Sequence, residues 1–161
     1  PGQVTADTGA GAGSFTRRLA AAVGPTGKAI GVEIDSAMVR SLNADARRLN
    51  LTNYEARLVE PADPMLAACS VDVIFLCDTY HHISERVTYF ANVRQSLKPG
   101  GRLVIIDYVR TEERSEHSIV KEEAVDELRR AGFRLAKELD LLLPRQYFLE
   151  FEPEPDHKMN E

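Results

Sequence analysis

Cysteine and long apolar runs are both scarce in this sequence. Of its 161 residues only Cys69 and Cys77 are cysteines, too few for a scaffold held together by disulfides. No apolar run approaches the ~20 residues that cross a membrane, and the chain does not open with the basic and apolar regions of a secretory signal. We therefore expect a reduced, cytoplasmic protein with no membrane partner.

Positive charge is also in short supply. The 20 lysines and arginines face 25 aspartates and glutamates, which gives a net charge of −5. A nucleic-acid-binding protein needs a basic face for the phosphates, so we expect no nucleic-acid partner. The spacings typical of zinc, calcium and Walker-type sites are missing, as is a Ser-His-Asp elbow, and no metal is predicted.

What the sequence does contain is a regular alternation of strand and helix patterns, over a length that suits one domain. Five segments predict strands, with helical patterns between them: residues 3–8, 29–34, 54–59, 71–77 and 101–109. This alternation predicts an open parallel sheet with helices on both faces. Two more strand-like runs, FRLAKELD and QYFLEFE, follow each other without a helix and should pair antiparallel.

The ends of the helices also have candidate residues. Ser14 and Ser36 are predicted to cap two helices, because a serine hydroxyl accepts hydrogen bonds from free backbone N–H groups. A third helix should stop at Lys98-Pro99-Gly100-Gly101. Gly132 suits the left-handed position that ends a fourth.

A glycine-rich turn follows the first predicted strand. Gly9, Gly11 and Gly13 alternate with small residues before a predicted helix, where a bare backbone lets a nucleotide approach the helix N-terminus. The dinucleotide fingerprint has its third glycine one position later, where this chain has Ser14. Because such turns are common, a purely structural turn stays open at this point.

Two acids lie near this turn. Glu33 ends the second predicted strand, where a carboxylate can accept hydrogen bonds from both ribose hydroxyls; the alternative is a solvated charge at a strand end. Asp7 lies two residues before the first glycine. Since phosphates repel carboxylates, an acid under the loop favours a ligand with an amino group.

Three stretches together resemble the motifs of class I S-adenosylmethionine-dependent methyltransferases, particularly the bacterial small-molecule type: ADTGAGAGSFTRRLAAAVGPTGKAIGVEID, VDVIFLCDTYHHI and SLKPGGRLVIIDY. The resemblance implies a methyltransferase domain over residues 1–152, followed by a polar tail, 153–161. It also implies a Rossmann-like, mostly parallel sheet of seven strands with helices on both faces and an antiparallel last pair. Members of this family normally have one or two helices before the first strand. This sequence starts at Pro1, just before the first predicted strand, so either the fold begins with a central strand or a preceding segment is missing.

The resemblance implies S-adenosylmethionine as the cofactor and S-adenosylhomocysteine as its product. The residues that it places at the cofactor are Asp7, Gly9, Ala10, Gly11, Gly13, Glu33, Ile34, Met38, Glu60, Pro61 and Asp78. Asp7 would face the methionine ammonium, usually through water, and Asp78 would lie near the same end. Residues 9–11 would pass close to the methionine and ribose, and Glu33 would bind the ribose hydroxyls.

The cofactor site departs from the family pattern at two positions, Glu60 and Thr8. Ile34 and Met38 would lie against the adenine ring, and Glu60 near its amino group. The family usually has an aspartate at the position of Glu60, one methylene shorter. Thr8 stands where an aliphatic residue is usual, beside the glycine loop.

Tyr80-His81-His82 follows the fourth predicted strand, at the sheet edge where open α/β folds bind ligands. Methyl transfer is an in-line displacement, so the protein must orient the nucleophile and, if it is protonated, remove a proton. We predict Tyr80 near the sulfonium, and His81 or His82 as a base. The onset of a helix should point the histidines in different directions, so that at most one reaches the substrate. Alternatively, both are structural and catalysis relies on positioning.

The predicted function is methyl transfer from S-adenosylmethionine to a small-molecule acceptor. The alternatives are a non-catalytic cofactor-binding module of the same fold and, less favoured, a nicotinamide-dependent oxidoreductase. His117 lies in a charged loop for which a solvated charge run is the favoured interpretation, with a place in the substrate pocket as the alternative. Arg145, Gln146 and Tyr147 could also line this pocket. If the fold begins with the first strand, part of one sheet face lacks a cover, and we expect either a homodimer or a monomer with an open pocket and loose cofactor affinity.

Overall fold

The computed structural model describes residues 1–109, 119–143 and 146–155. Strands and helices alternate in these ranges: β1 (Val4–Thr8), α1 (Ser14–Val23), β2 (Lys28–Glu33), α2 (Ser36–Arg48), β3 (Tyr54–Leu58), β4 (Val71–Cys77), α3 (Arg86–Ser96), β5 (Leu97–Tyr108), α4 (Lys121–Arg130), β6 (Phe133–Leu143) and β7 (Gln146–Pro153). A 3₁₀ turn, Tyr80–His82, lies between β4 and α3. His117, Arg145 and residues 156–161 of the tail lie outside the described residues.

The described strands form one seven-stranded sheet in the order β3-β2-β1-β4-β5-β7-β6. The first five strands of this order are parallel, and β7 runs antiparallel between β5 and β6. The predicted fold class is therefore confirmed. Since the chain winds in opposite directions from β1 and from β4, the loops after these two strands diverge and open a crevice at the carboxyl edge.

Helices cover both faces of the sheet, because each strand sends alternate side chains to opposite faces. Ile30 and Val32 of β2 pack into the larger core, which includes residues of α3 and α4. Ala29 packs into a smaller core with residues of α1 and α2. The strand ends that carry the crevice are thus held between two packed layers. Among the described helices, none has the length and apolar character that a membrane crossing needs.

The caps of the first two helices differ from those predicted. Asp35 caps α2, because its Oδ1 accepts hydrogen bonds from the N–H groups of Ala37 (2.7 Å) and Met38 (3.1 Å). Ser36 is the first residue of that helix. An aspartate next to a serine offers two candidate caps, and the sequence does not distinguish them.

Gly13 occupies the capping position of α1, which makes Ser14 its first residue. Gly13 has φ 72°, a left-handed conformation that favours glycine. A Cβ there would lie 2.5 Å from Leu42 Cδ2 and 2.7 Å from the Tyr54 hydroxyl oxygen. Close packing between α1, α2 and β3 therefore requires this glycine. Gly132, at φ 87° after α4, confirms the predicted left-handed position.

Candidate functional site

A cavity of about 670 Å³ lies at the carboxyl edge of the parallel strands. Its walls are the segments that follow β1, β2, β3 and β4, together with the first turn of α3. Of the residues predicted at the cofactor or in catalysis, the following line it: Gly9, Gly11, Glu33, Ile34, Met38, Glu60, Pro61, Asp78 and His82. The topology thus brings together residues that are up to 73 positions apart in the chain.

The glycine loop approaches the neighbouring loop too closely for a side chain. A Cβ on Gly9 would lie 2.4 Å from Thr79 Cγ2, and the residue has φ 73°. Thr79 itself is held by a hydrogen bond from its hydroxyl to the Cys77 carbonyl, 3.0 Å. The N–H of Gly11 points to Glu33. The absence of side chains keeps this part of the cavity wall as bare backbone.

Glu33 ties the glycine loop to the end of β2. Its Oε2 accepts a hydrogen bond from Gly11 N–H (2.9 Å), and its Oε1 accepts from the N–H groups of Ile34 (2.8 Å) and Asp35 (3.1 Å). The residue is 8% exposed and lines the cavity. A carboxylate has about four lone-pair sites, so this oriented group can accept further hydrogen bonds from a ligand's hydroxyls.

One end of the cavity is apolar. Ile34 and Met38 are 59% and 44% exposed, although both are large hydrophobic residues, and both line the cavity beside Val59. Exposed apolar side chains that converge in a cavity suit a flat, apolar ligand group. Glu60 adds an acceptor at this end. Pro61 has no N–H, so it forms wall without donating a hydrogen bond.

Asp78 follows β4 in a left-handed conformation, φ 53°. Its Oδ1 accepts a hydrogen bond from the side-chain amide of Gln146, 2.7 Å away. Gln146 begins β7, so the last hairpin reaches the cavity wall through this contact. Tyr147, the next residue, is buried and does not line the cavity.

Three predicted cofactor residues, Asp7, Ala10 and Gly13, lie behind the cavity wall. Thr8 lines the cavity, and the alternation along β1 turns Asp7 to the opposite face, where α1 packs. Its Oδ2 accepts a hydrogen bond from the Thr16 hydroxyl at 2.5 Å. Ala10 packs in the smaller core, and Gly13 contacts α2 and β3. These three residues therefore fix the conformation of the glycine loop through contacts on the side away from the cavity.

Burial raises the pKa of Asp7 to about 6, against the hydrogen bond from Thr16, which lowers it. The folded protein therefore holds this proton more tightly than the unfolded chain does. We expect the unfolding free energy of the wild type, relative to Asp7→Asn, to fall by up to about 3 kcal/mol as the pH rises from about 4 to 7. Urea unfolding at several pH values measures this difference. Asp126→Asn, an exposed carboxylate on α4, is the control; a pH-independent difference for Asp7→Asn would contradict the shift.

Tyr80 does not reach the cavity, in contrast to its predicted place near the sulfonium. It is fully buried, stacks on Phe90 at 5.3 Å, and donates its hydroxyl to Glu127 Oε2 at 2.6 Å. Arg86 donates to the same carboxylate oxygen. The 3₁₀ turn points this side chain down between α3 and α4, so its role is to join these helices.

The two histidines diverge, and of the two His82 lines the cavity. The His81 side chain is 6% exposed, and its Nδ1 lies 2.8 Å from Oδ1 of the fully buried Asp107. Because a carboxylate only accepts, Nδ1 carries the proton in this pair. Asp107 Oδ2 also accepts from the His81 N–H at 3.2 Å, so β5 holds the turn that presents His82. The rings of His81 and His82 lie 4.1 Å apart.

A family model described as a methyltransferase domain matches residues 1–139 of the chain. The chain belongs to this methyltransferase family. The family predicted from the three motifs is thereby confirmed. The match covers β1 to β5 and α4, and hence every residue of the cavity wall.

Two curated relatives are methyltransferases. The arsenite methyltransferase of Halobacterium salinarum is 32% identical over 111 residues, which are 69% of this chain and 28% of the relative. Nocamycin O-methyltransferase of Saccharothrix syringae is 32% identical over 103 residues, 64% of this chain and 37% of the relative. The chain thus spans about a third of the length of these relatives.

A solved structure extends the comparison to the whole fold. The crystal structure of a SAM-dependent methyltransferase from Aquifex aeolicus superposes with a TM-score of 0.85 at 25% identity. The match covers 93% of this chain and 81% of the other. The antiparallel strand pair at the end of the sheet is therefore part of a shared methyltransferase architecture.

Proposed function

We propose that this domain binds S-adenosylmethionine and transfers its methyl group to a small-molecule acceptor. The observation that carries the proposal is the charge of the cavity. Five acidic residues line it, Glu33, Asp35, Glu60, Asp78 and Glu85, and among the described residues no lysine or arginine does. A sulfonium cofactor with an ammonium group is attracted by such a wall, whereas the pyrophosphate of a nicotinamide cofactor is repelled.

The lining residues fit the parts of this cofactor. Glu33, held on three N–H groups, is positioned to accept the ribose hydroxyls. Ile34 and Met38 offer apolar surface to the adenine, and Glu60 an acceptor for its amino group. Asp78, steadied by Gln146, faces the methionyl end. The volume of about 670 Å³ lies within the range of ligand sites, roughly 300–1,000 Å³.

When bound, S-adenosylmethionine supplies an electrophilic methyl group, so the protein's tasks are orientation and proton removal. Within the Tyr80–His82 turn, His82 is the ionisable side chain that lines the cavity. We assign it the removal of the proton from the accepting group. Asp107 and His81 are positioning residues: their contacts hold the turn against β5 and thereby orient His82. Asp7, Ala10 and Gly13 do not touch the cofactor in this proposal. They fix the glycine loop by their contacts on the side away from the cavity.

The small-molecule acceptor and the cytoplasmic location belong to this proposal, as does the extent of the domain, residues 1–152. The two relatives carry arsenite and nocamycin in their names, so their names alone do not point to one acceptor for this chain. The two alternatives expected from the sequence, a homodimer and a monomer with an open pocket, stay predictions.

A thermal-shift experiment tests the cofactor. At about 100 times its dissociation constant, S-adenosylhomocysteine should stabilise the fold by about 2.7 kcal/mol, which raises the melting temperature of a domain of this size by roughly 5–10 °C. NAD at the same concentration should cause no shift. The opposite pattern would favour the nicotinamide-dependent oxidoreductase. Binding of S-adenosylhomocysteine without turnover of labelled S-adenosylmethionine, over hydroxyl, amine, thiol and arsenite acceptors, would favour the non-catalytic module.

A further inference from the structure

Tyr89 is a cavity residue that the sequence motifs do not point to. It lies at the end of the first turn of α3, is 5% exposed, and lines the cavity together with Val59 and Pro61. Its ring packs edge-on against Phe90, with centroids 5.2 Å apart and planes at 79°. The ring is therefore anchored in the larger core, and the residue meets the cavity with a fixed orientation.

The hydroxyl of Tyr89 has no hydrogen-bond partner among the described residues. Tyr80, nine residues earlier in the 3₁₀ turn, donates to Glu127 instead. The hydroxyls of Tyr54 and Tyr147 also lack a partner, but they are sealed from solvent and neither residue lines the cavity. The Tyr89 hydroxyl, by contrast, is open to the cavity, so an acceptor atom of a ligand can replace water as its partner.

The chemistry of the surrounding wall defines what this hydroxyl can add. Burial raises the pKa of Tyr89 and the nearby Asp63 carboxylate raises it further, so the phenol keeps its proton at neutral pH and acts as a donor. Glu60, on the same loop as Asp63, is an acceptor, and Pro61 has no N–H to offer. The ring nitrogens of adenine are acceptors, and they need a donor at this end of the cavity.

We propose that the Tyr89 hydroxyl donates a hydrogen bond to a ring nitrogen of the cofactor's adenine. The inference rests on the proposed function, because it takes S-adenosylmethionine as the ligand. Tyr89 then recognises adenine by donating a hydrogen bond to a ring nitrogen, and Glu60 recognises it by accepting one from the amino group. The two residues would together distinguish adenine from bases with the reverse pattern of donors and acceptors.

Tyr89→Phe tests the proposal, because it removes the hydroxyl and keeps the ring. The dissociation constants of S-adenosylhomocysteine and of adenosine, measured by titration calorimetry, should both rise about tenfold. The melting temperature without ligand should stay the same or rise, since no protein hydrogen bond is lost. Tyr80→Phe is the matched control: it should lower the melting temperature through the loss of the Glu127 contact and leave both dissociation constants unchanged.

Three outcomes overturn the inference. These are unchanged binding of both ligands to Tyr89→Phe, weaker binding of S-adenosylhomocysteine alone, and a loss of stability like that of Tyr80→Phe. If the wild type binds neither ligand, the proposed function itself fails, and the two failures are thereby distinguished.

Discussion

Replacement of His82 by alanine should slow methyl transfer by about 10²–10⁴-fold, while the dissociation constant of S-adenosylhomocysteine stays unchanged. His82 lines the cavity and is exposed, so its loss removes a proton acceptor without opening the core. The measurement is the single-turnover rate with an acceptor whose nucleophile carries a proton.

The neighbouring histidine provides the control. His81→Ala leaves the fully buried Asp107 carboxylate without its side-chain partner, so it should lower the melting temperature, which His82→Ala should not. Added imidazole should restore part of the rate of His82→Ala. A His82→Ala rate near that of the wild type would show that no base is used here and that positioning alone suffices.

The sequence predicted the parts of the site that depend on topology. In a parallel sheet the carboxyl ends of neighbouring strands meet at one edge, so the residues that end β1, β2 and β4 had to converge. Gly9, Glu33 and Asp78 lie at these ends, and all three line the cavity. Strand order and patterning were enough for these positions, because neither depends on the direction of a single side chain.

Side-chain direction accounts for most of what the sequence did not predict. Asp7 precedes the cavity residue Thr8 by one position, and this single step turns it to the face covered by α1. Tyr80 lies in a 3₁₀ turn, whose geometry does not follow from the periods of a strand or an α-helix. A difference of one position in the chain therefore decides whether a side chain packs in the core or lines the cavity.

Contacts between segments that are far apart in the chain could not be predicted from the sequence either. Gln146 and Asp78 are 68 positions apart, and their hydrogen bond depends on how the antiparallel β7 returns beside β5. Tyr89 follows the apolar pattern of α3, where an aromatic residue is typical of a core position. The unpaired hydroxyl that sets it apart from Phe90 is visible only once the cavity wall is assembled.

Removal of the Glu33 carboxylate should weaken cofactor binding by roughly ten- to hundredfold, which corresponds to ~1.5–3 kcal/mol. Glu33→Ala deletes the proposed acceptor of the ribose hydroxyls and also the acceptor for the N–H groups of Gly11, Ile34 and Asp35. Glu33→Gln keeps the shape and one accepting oxygen, but its amide nitrogen must face one of the backbone N–H groups, so it too should weaken binding. Titration calorimetry with S-adenosylhomocysteine measures both variants. Glu55→Gln is the control, because Glu55 pairs with Lys28 and Arg57 and does not line the cavity.

A ligand lacking one ribose hydroxyl separates the direct contact from a disturbed loop. In the wild type, 2′-deoxy-S-adenosylhomocysteine should bind more weakly than the parent compound, because a carboxylate partner is left unused. In Glu33→Ala the two compounds should bind equally, because the residue that distinguishes them is gone. The difference between the two comparisons is the coupling energy between Glu33 and the ribose. If deletion of the hydroxyl weakens binding equally in both proteins, Glu33 acts through the glycine loop alone, and the ribose lies elsewhere in the cavity.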